Sequence, residues 1–137
     1  GGLDHLVRSA SLGPLVSFLP HQSDPLGWLA ASDVFFLPAR EDAFPLVCVE
    51  AAAIGLPIVT FANGGAADLV RHAESGTVVP FPDVDTAASA LTELAHDAAR
   101  RASLGERSRR FAREHLLLEQ AGPALFASIE ATRETAW

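Results

Sequence analysis

The chain has 137 residues, nearly half of them hydrophobic (49%), which is enough for one domain with a proper core and too little for two. A formal net charge of -7 and a pI near 5.1 leave no basic footprint for nucleic acid or an anionic membrane. Every basic residue is arginine, so neither a Schiff-base lysine nor a P-loop lysine lies in this segment.

Gly1-Gly2-Leu3-Asp4-His5-Leu6-Val7 begins as a helix of the kind that packs on a sheet. Leu15-Val16-Ser17-Phe18-Leu19, ended by Pro20, and Asp33-Val34-Phe35-Phe36-Leu37, ended by Pro38, are apolar runs that predict buried strands. Between them Ser23-Asp24-Pro25 is a helix start, leading into a helix over 26–31. A helix over 45–54 follows, closed by Gly55 and barred from continuing by Pro57. A strand over 57–61, a Gly64-Gly65 loop, a helix over 66–72 and a strand over 77–79 complete the alternation. Continuous apolar strands alternating with short helices predict a parallel sheet covered on both faces, an α/β three-layer fold with about four strands.

From Asp85, expected as an N-cap after Pro82, the period becomes helical through Ala88, Leu91, Leu94 and Ala95. The charged segment 97–115 mixes signs at helical spacing, as a solvated helix face does, and 121–132 predicts a last helix. Four strands are fewer than the five or six of a complete doubly wound sheet, so the chain is expected to be one partial domain. Cys48, alone in an apolar run, reads as a small buried hydrophobe in a reduced compartment. No apolar stretch approaches the roughly 20 residues of a membrane span, and the first residues lack a signal-peptide layout. A soluble cytoplasmic protein is expected, with any membrane contact made through a domain outside this chain.

Within 38–50, Asp42 and Glu50 stand eight positions apart across the entry to the helix over 45–54. Glu50 is the only charged side chain of that helix, and an uncompensated buried charge costs on the order of several kcal/mol. Its helical neighbours Leu46, Val47, Ala53 and Ile54 offer no donor, so a partner from another element or from a ligand is expected. In parallel sheets ligands bind outside the carboxyl ends of strands, where the loop 38–44 emerges. Free N–H groups around Leu46 and Val47, with Pro45 as the first helical residue, make an anion site suited to phosphate. Asn63-Gly64-Gly65 is placed to face the same crevice, its glycines allowing positive φ and close backbone approach. Arg40 stands beside this site, as a phosphate clamp or as an ordinary exposed loop arginine. Asp42 is also placed to cap the helix over 45–54.

Asp42-Ala43-Phe44-Pro45, then Glu50-Ala51, then Gly55-Leu56-Pro57-Ile58-Val59 resembles the signature of the retaining GT-B glycosyltransferases of family 4. Ala31 to Pro38 is similar to the strand before that signature, and Gly64-Gly65-Ala66-Ala67-Asp68 with Gly76 to the glycine loop after it. The resemblance spans roughly residues 15 to 115 and implies the C-terminal, donor-binding half of a GT-B fold. It implies that Glu50 bonds the ribose hydroxyls of a nucleotide-sugar. Asp42, or Glu41 beside it, would face the donor sugar; the family's usual glutamate is here Asp42. The N–H groups of Phe44, Leu46 and Val47 would hold the diphosphate, with Pro45, Gly64 and Gly65 shaping the site and the base resting near Leu19 and His21. Sugar transfer with retention, no cofactor and no bound metal is implied. The partners implied are a nucleotide-sugar donor, an acceptor of unknown class and an N-terminal acceptor domain; the upstream glycine-rich strand with its basic clamp is also outside this chain, and this fragment is not expected to be active alone. A nucleotide-sugar epimerase, a sugar-phosphate synthase and a non-catalytic interaction domain are the open alternatives. Asp83-Val84-Asp85 is not read as a metal motif, and the five histidines show no ligand spacing.

Overall fold

Three parallel strands in sequence order, β1 (Phe35–Leu37), β2 (Ile58–Phe61) and β3 (Gly76–Val79), form the sheet of a computed structural model that describes residues 2–116. β2 is central and buried at every position, which is why Ile58-Val59-Thr60-Phe61 carries no alternation. Its single polar side chain is satisfied: the Thr60 hydroxyl donates to the Leu37 carbonyl at 3.2 Å.

Helices α3 (Leu46–Ile54) and α4 (Gly65–Ala73) connect successive parallel strands, and right-handed crossovers put both on one face. There Cys48, Ala51 and Ala52 of α3 and Leu69 and Val70 of α4 pack around Ile58. On the other face Ala87, Ala90 and Leu94 of α5 (Val84–His96) cover Val59, Phe61 and Val79. The result is the expected three-layer α/β arrangement. A long helix, α6 (Ala98–Phe111), and one π turn over Ala112–Leu116 close the described part. The helix expected over 121–132 lies outside the described residues.

α6 is tied to the end of α3 by a close backbone approach. Gly55, at φ 92°, ends α3, and the Arg109 guanidinium lies over it and donates to the Ile54 carbonyl at 2.7 Å. A cation at that helix end also meets its negative pole favourably. Gly105 lets α6 come this near, since a Cβ there would collide with the Gly55 carbonyl. Arg101 is partly buried and donates to the Leu94 and Ala95 carbonyls at 2.7 and 3.0 Å, whereas Arg100 and Arg107 lie on a solvated face, meeting Glu93 at 2.9 Å and Glu74 at 3.3 Å. Exposed pairs of this kind contribute about 0–1 kcal/mol each.

Three expectations are corrected. Residues 15–19 are not a strand, and Leu15, Phe18 and Leu19 are exposed. The Leu15 and Val16 N–H groups donate back to the Leu12 carbonyl and Pro20 has none, so the run is spent on a turn and lacks donors for a ladder. The sheet therefore has three strands among the described residues. The first helix, which we number α1 (Gly2–Ser9), forms, but none of its residues is buried; the helix expected over 26–31 is α2 (Leu26–Ala30). The N-cap of α5 is Asp83, not Asp85: its carboxylate accepts from the Thr86 N–H at 2.9 Å and the Thr86 hydroxyl at 2.6 Å. These bonds hold the Asp83 carboxyl below its ordinary range. Among the described residues no helix is long and apolar enough to cross a membrane.

Gly105→Ala is expected to cost about 1–3 kcal/mol by overpacking the α3–α6 contact, read from the denaturant midpoint. A variant as stable as the parent would contradict the close approach at Gly55.

Candidate functional site

Register brings two loops out of the sheet side by side. Leu37, the last residue of β1, lies opposite Thr60; the loop 38–45 leaves the first strand and the loop 62–64 leaves β2 one residue later. The second loop grips the first. The Asn63 side-chain amide donates to the Ala39 carbonyl at 3.2 Å and to the Arg40 carbonyl. The Gly65 N–H is shared between the Asp42 and Ala43 carbonyls at 3.3 and 3.0 Å.

Both glycines are required by this contact. Gly64 sits at φ 74°, and a Cβ there would strike the Asp42 carbonyl; one on Gly65 would strike the Ala43 carbonyl and the Phe44 ring. The close approach expected of Gly64 and Gly65 is thus made to the neighbouring loop, and the Gly65 N–H is already engaged.

The gripped loop delivers the start of α3. Pro45 is the N-cap rather than the first helical residue, with extended ψ of 118° and no side-chain cap. Its carbonyl accepts from the Cys48 N–H at 3.0 Å, which leaves the N–H groups of Leu46 and Val47 at the open positive end of the helix. Leu46 is 74% exposed, so this end faces solvent. Asp42 does not cap α3. Glu41, Asp42 and Phe44 are exposed around the same opening.

Glu50 stands one turn further on. It is half-buried rather than buried, so desolvation does not compel a protein partner as its apolar surroundings suggested. It shares a stripe with Val47 and Ile54, both partly buried, and helical side chains lean toward the N-terminus. Its carboxylate therefore leans toward the open turn at Leu46 and Val47, as an acceptor that no hydrogen bond occupies among the described residues.

Arg40 is exposed, and its carbonyl is what the Asn63 amide holds. Leu19 and His21 lie in an exposed segment whose hydrogen bonds are local, Gln22 to the Pro20 carbonyl and Trp28 to Gln22. Asn63 was legible only as the first residue of the glycine loop, with no role for its side chain; a lone amide between a buried strand and two glycines was the available signal. Its Oδ1 is buried without a partner. Among the described residues no group of three or more His, Cys, Asp or Glu side chains could hold a metal ion. A hollow of about 480 Å³ lined by Ser32, Asp33, Val34, Leu91, Ala95 and Arg101 opens beside the start of β1. That is the amino end of the sheet, opposite to where such folds bind ligands.

The arrangement suits a ligand with two chemistries, an anion for the α3 N–H groups and hydroxyls for the carboxylates around them. The sequence profile of the family described as Glycosyl transferases group 1 matches residues 2–111. A D-inositol 3-phosphate glycosyltransferase from Thermomonospora curvata is 36% identical over 114 residues, 82% of this chain and 26% of that protein. A solved sucrose-phosphate synthase from Thermosynechococcus elongatus superposes with a TM-score of 0.82 at 28% identity, over 95% of this chain and 34% of that one. Anabaena HepE, solved in complex with UDP, superposes at 0.83 with 23% identity, over 95% and 36%. These neighbours share the GT-B fold, and the chain spans about a quarter to a third of their length.

Cys48 reports on this site. It is fully buried, and burial, assisted by the nearby Asp42 carboxylate, pushes its thiol up to about 11 from 9.0. Above pH 9 the unfolded chain carries a thiolate while the folded chain keeps the proton, so stability is full below about pH 9 and falls as pH rises through 11. With no lysine and no tyrosine, no other side chain titrates in that window. Denaturant midpoints are expected to fall from pH 9 to 11 in the parent and to stay level in Cys48→Ala; the same decline in both would contradict the assignment.

Proposed function

The chain belongs to the glycosyl transferases group 1 family, and from that premise we propose that it is the donor-binding part of a retaining glycosyltransferase of family 4. The donor is a nucleotide-sugar of UDP, GDP or ADP type. The acceptor meets it from an N-terminal domain, and the basic phosphate clamp from the upstream glycine-rich strand of this same domain, both outside this chain. The observation that carries this reading is the uncapped start of α3, open between Asp42 and Glu50. Peptide N–H groups at a helix start bind phosphate oxygens well, and the two carboxylates are free to accept from hydroxyls.

In this reading the diphosphate rests on the N–H groups of Leu46 and Val47, with Phe44 and Pro45 beside it. Glu50 accepts from the ribose hydroxyls, and Asp42, with Glu41 next to it, faces the sugar. Transfer breaks the bond between the anomeric carbon and the diphosphate oxygen. The electron pair leaves with the diphosphate, where the positive end of α3 stabilises the added charge. Asp42 or Glu41 stabilises the positive charge that grows at the anomeric carbon, and the acceptor oxygen forms the new bond as its proton passes to the departing diphosphate oxygen. Neither a cofactor nor a metal enters this scheme. Leu19 and His21 are assigned to the base, as the family resemblance implies, and Arg40 to the phosphates. A cytoplasmic setting, where nucleotide-sugars are made, belongs to the same proposal.

Titration calorimetry of the chain with UDP, GDP and ADP tests it. One of the three is expected to bind, and Glu50→Gln to weaken it about tenfold or more, as removal of a charge-assisted hydrogen bond does. Absence of heat with all three, or unchanged affinity in Glu50→Gln, would contradict the reading.

A further inference from the structure

We propose that Asn63 is a positioning residue for the donor site, setting from the neighbouring loop the backbone that carries Glu41 and Asp42. This rests on the reading above for its functional meaning and on geometry for its substance.

The acidic loop has no regular structure of its own, and both carboxylates in it are exposed. What holds it is the loop after β2, through four contacts from two donors. The Asn63 amide takes the Ala39 and Arg40 carbonyls, just before Glu41, and the Gly65 N–H takes the Asp42 and Ala43 carbonyls, just after it. The carboxylate-bearing pair is thus anchored on both sides. The glycine contact needs no particular side chain at 63, but it closes on a loop whose other anchor, just before Glu41, depends on Asn63 alone, so losing that anchor loosens both.

The amide orientation follows from its partners. Two carbonyls accept from one –NH2 group, and turning the amide over would aim Oδ1 at both of them. In the orientation adopted, Oδ1 is buried with no donor. An unpartnered buried acceptor is unfavourable, so asparagine at this position is a poor choice for stability alone. Leucine has nearly the same shape and would leave no orphaned acceptor. The residue present makes sense as a device that fixes the loop at some cost to the fold.

That asymmetry separates positioning from a merely structural role. In Asn63→Leu the two donors and the orphaned oxygen go together, so the fold is expected to melt within a few degrees of the parent while the loop is released. In Asn63→Asp the donors are replaced by a carboxylate facing two carbonyls, with the same release. Amide hydrogen exchange reads the loop directly: the Gly65 N–H is expected to exchange about tenfold faster in both variants, with the Ile58 to Phe61 amides of β2 unchanged. Affinity for whichever of UDP, GDP and ADP the parent binds is expected to fall about tenfold in both.

Unchanged Gly65 exchange in both variants would overturn the proposal, as would loss of protection spread equally over β2. Faster local exchange with undiminished nucleotide affinity would also overturn it, because the loop would then be held for no purpose at the site. A parent that binds none of the three diphosphates, with Gly65 still loosened, would sink the donor reading while supporting the clamp.

Discussion

The contact on which the site depends is backbone against backbone: the Asp42 and Ala43 carbonyls lie where side chains would stand on Gly64 and Gly65. Parallel register places the ends of β1 and β2 side by side, but register alone would leave two independent loops. Removing two Cβ atoms lets the second loop close on the first, and the Gly65 N–H and the Asn63 amide satisfy carbonyls that would otherwise be left to solvent. A loop rich in exposed charge is thereby held without a core of its own. α3 can then begin at a defined place, with its first N–H groups unspent.

The electrostatics around that start are of opposed sign. The α3 N-terminus is a positive pole with no side-chain cap, in a chain whose net charge is -7. Asp42 lies close enough to contribute to the raised thiol of Cys48, although burial is the larger cause. Asp42 makes no capping hydrogen bond to α3 and Glu50 is half-buried on the helix one turn on, so the crevice presents free N–H donors beside carboxylate acceptors. A polyhydroxylated anion answers both needs. A simple anion answers only the first.

The α/β class, the helix over 45–54, the buried central strand and the glycine loop were all legible from apolar runs, prolines and glycines, because those features depend on local rules. Residues 15–19 were not, because an apolar run does not reveal which N–H groups a preceding turn has used; Leu12 takes those of Leu15 and Val16. Asp85 was expected as the cap where Asp83 in fact stands, because the pattern fixes a cap only to within a residue or two and the backbone at the helix start decides the rest. The burial of Glu50 was overestimated for a related reason. An apolar helix was taken as apolar on all sides, while the stripe that holds Glu50 is partly open. Asn63 went unassigned because its role lies in two carbonyls more than twenty residues away, a relation no local pattern contains.

Family membership and the geometry of the open α3 turn meet in one claim, that an anionic nucleotide group binds at the carboxyl ends of β1 and β2. Backbone amide shift mapping during titration with nucleoside diphosphates examines that claim most directly. The largest changes are predicted at the Leu46 and Val47 N–H groups, with smaller ones at Phe44 and Glu50. Changes centred instead on Ser32, Asp33 and Arg101, at the opposite end of the sheet, would contradict it.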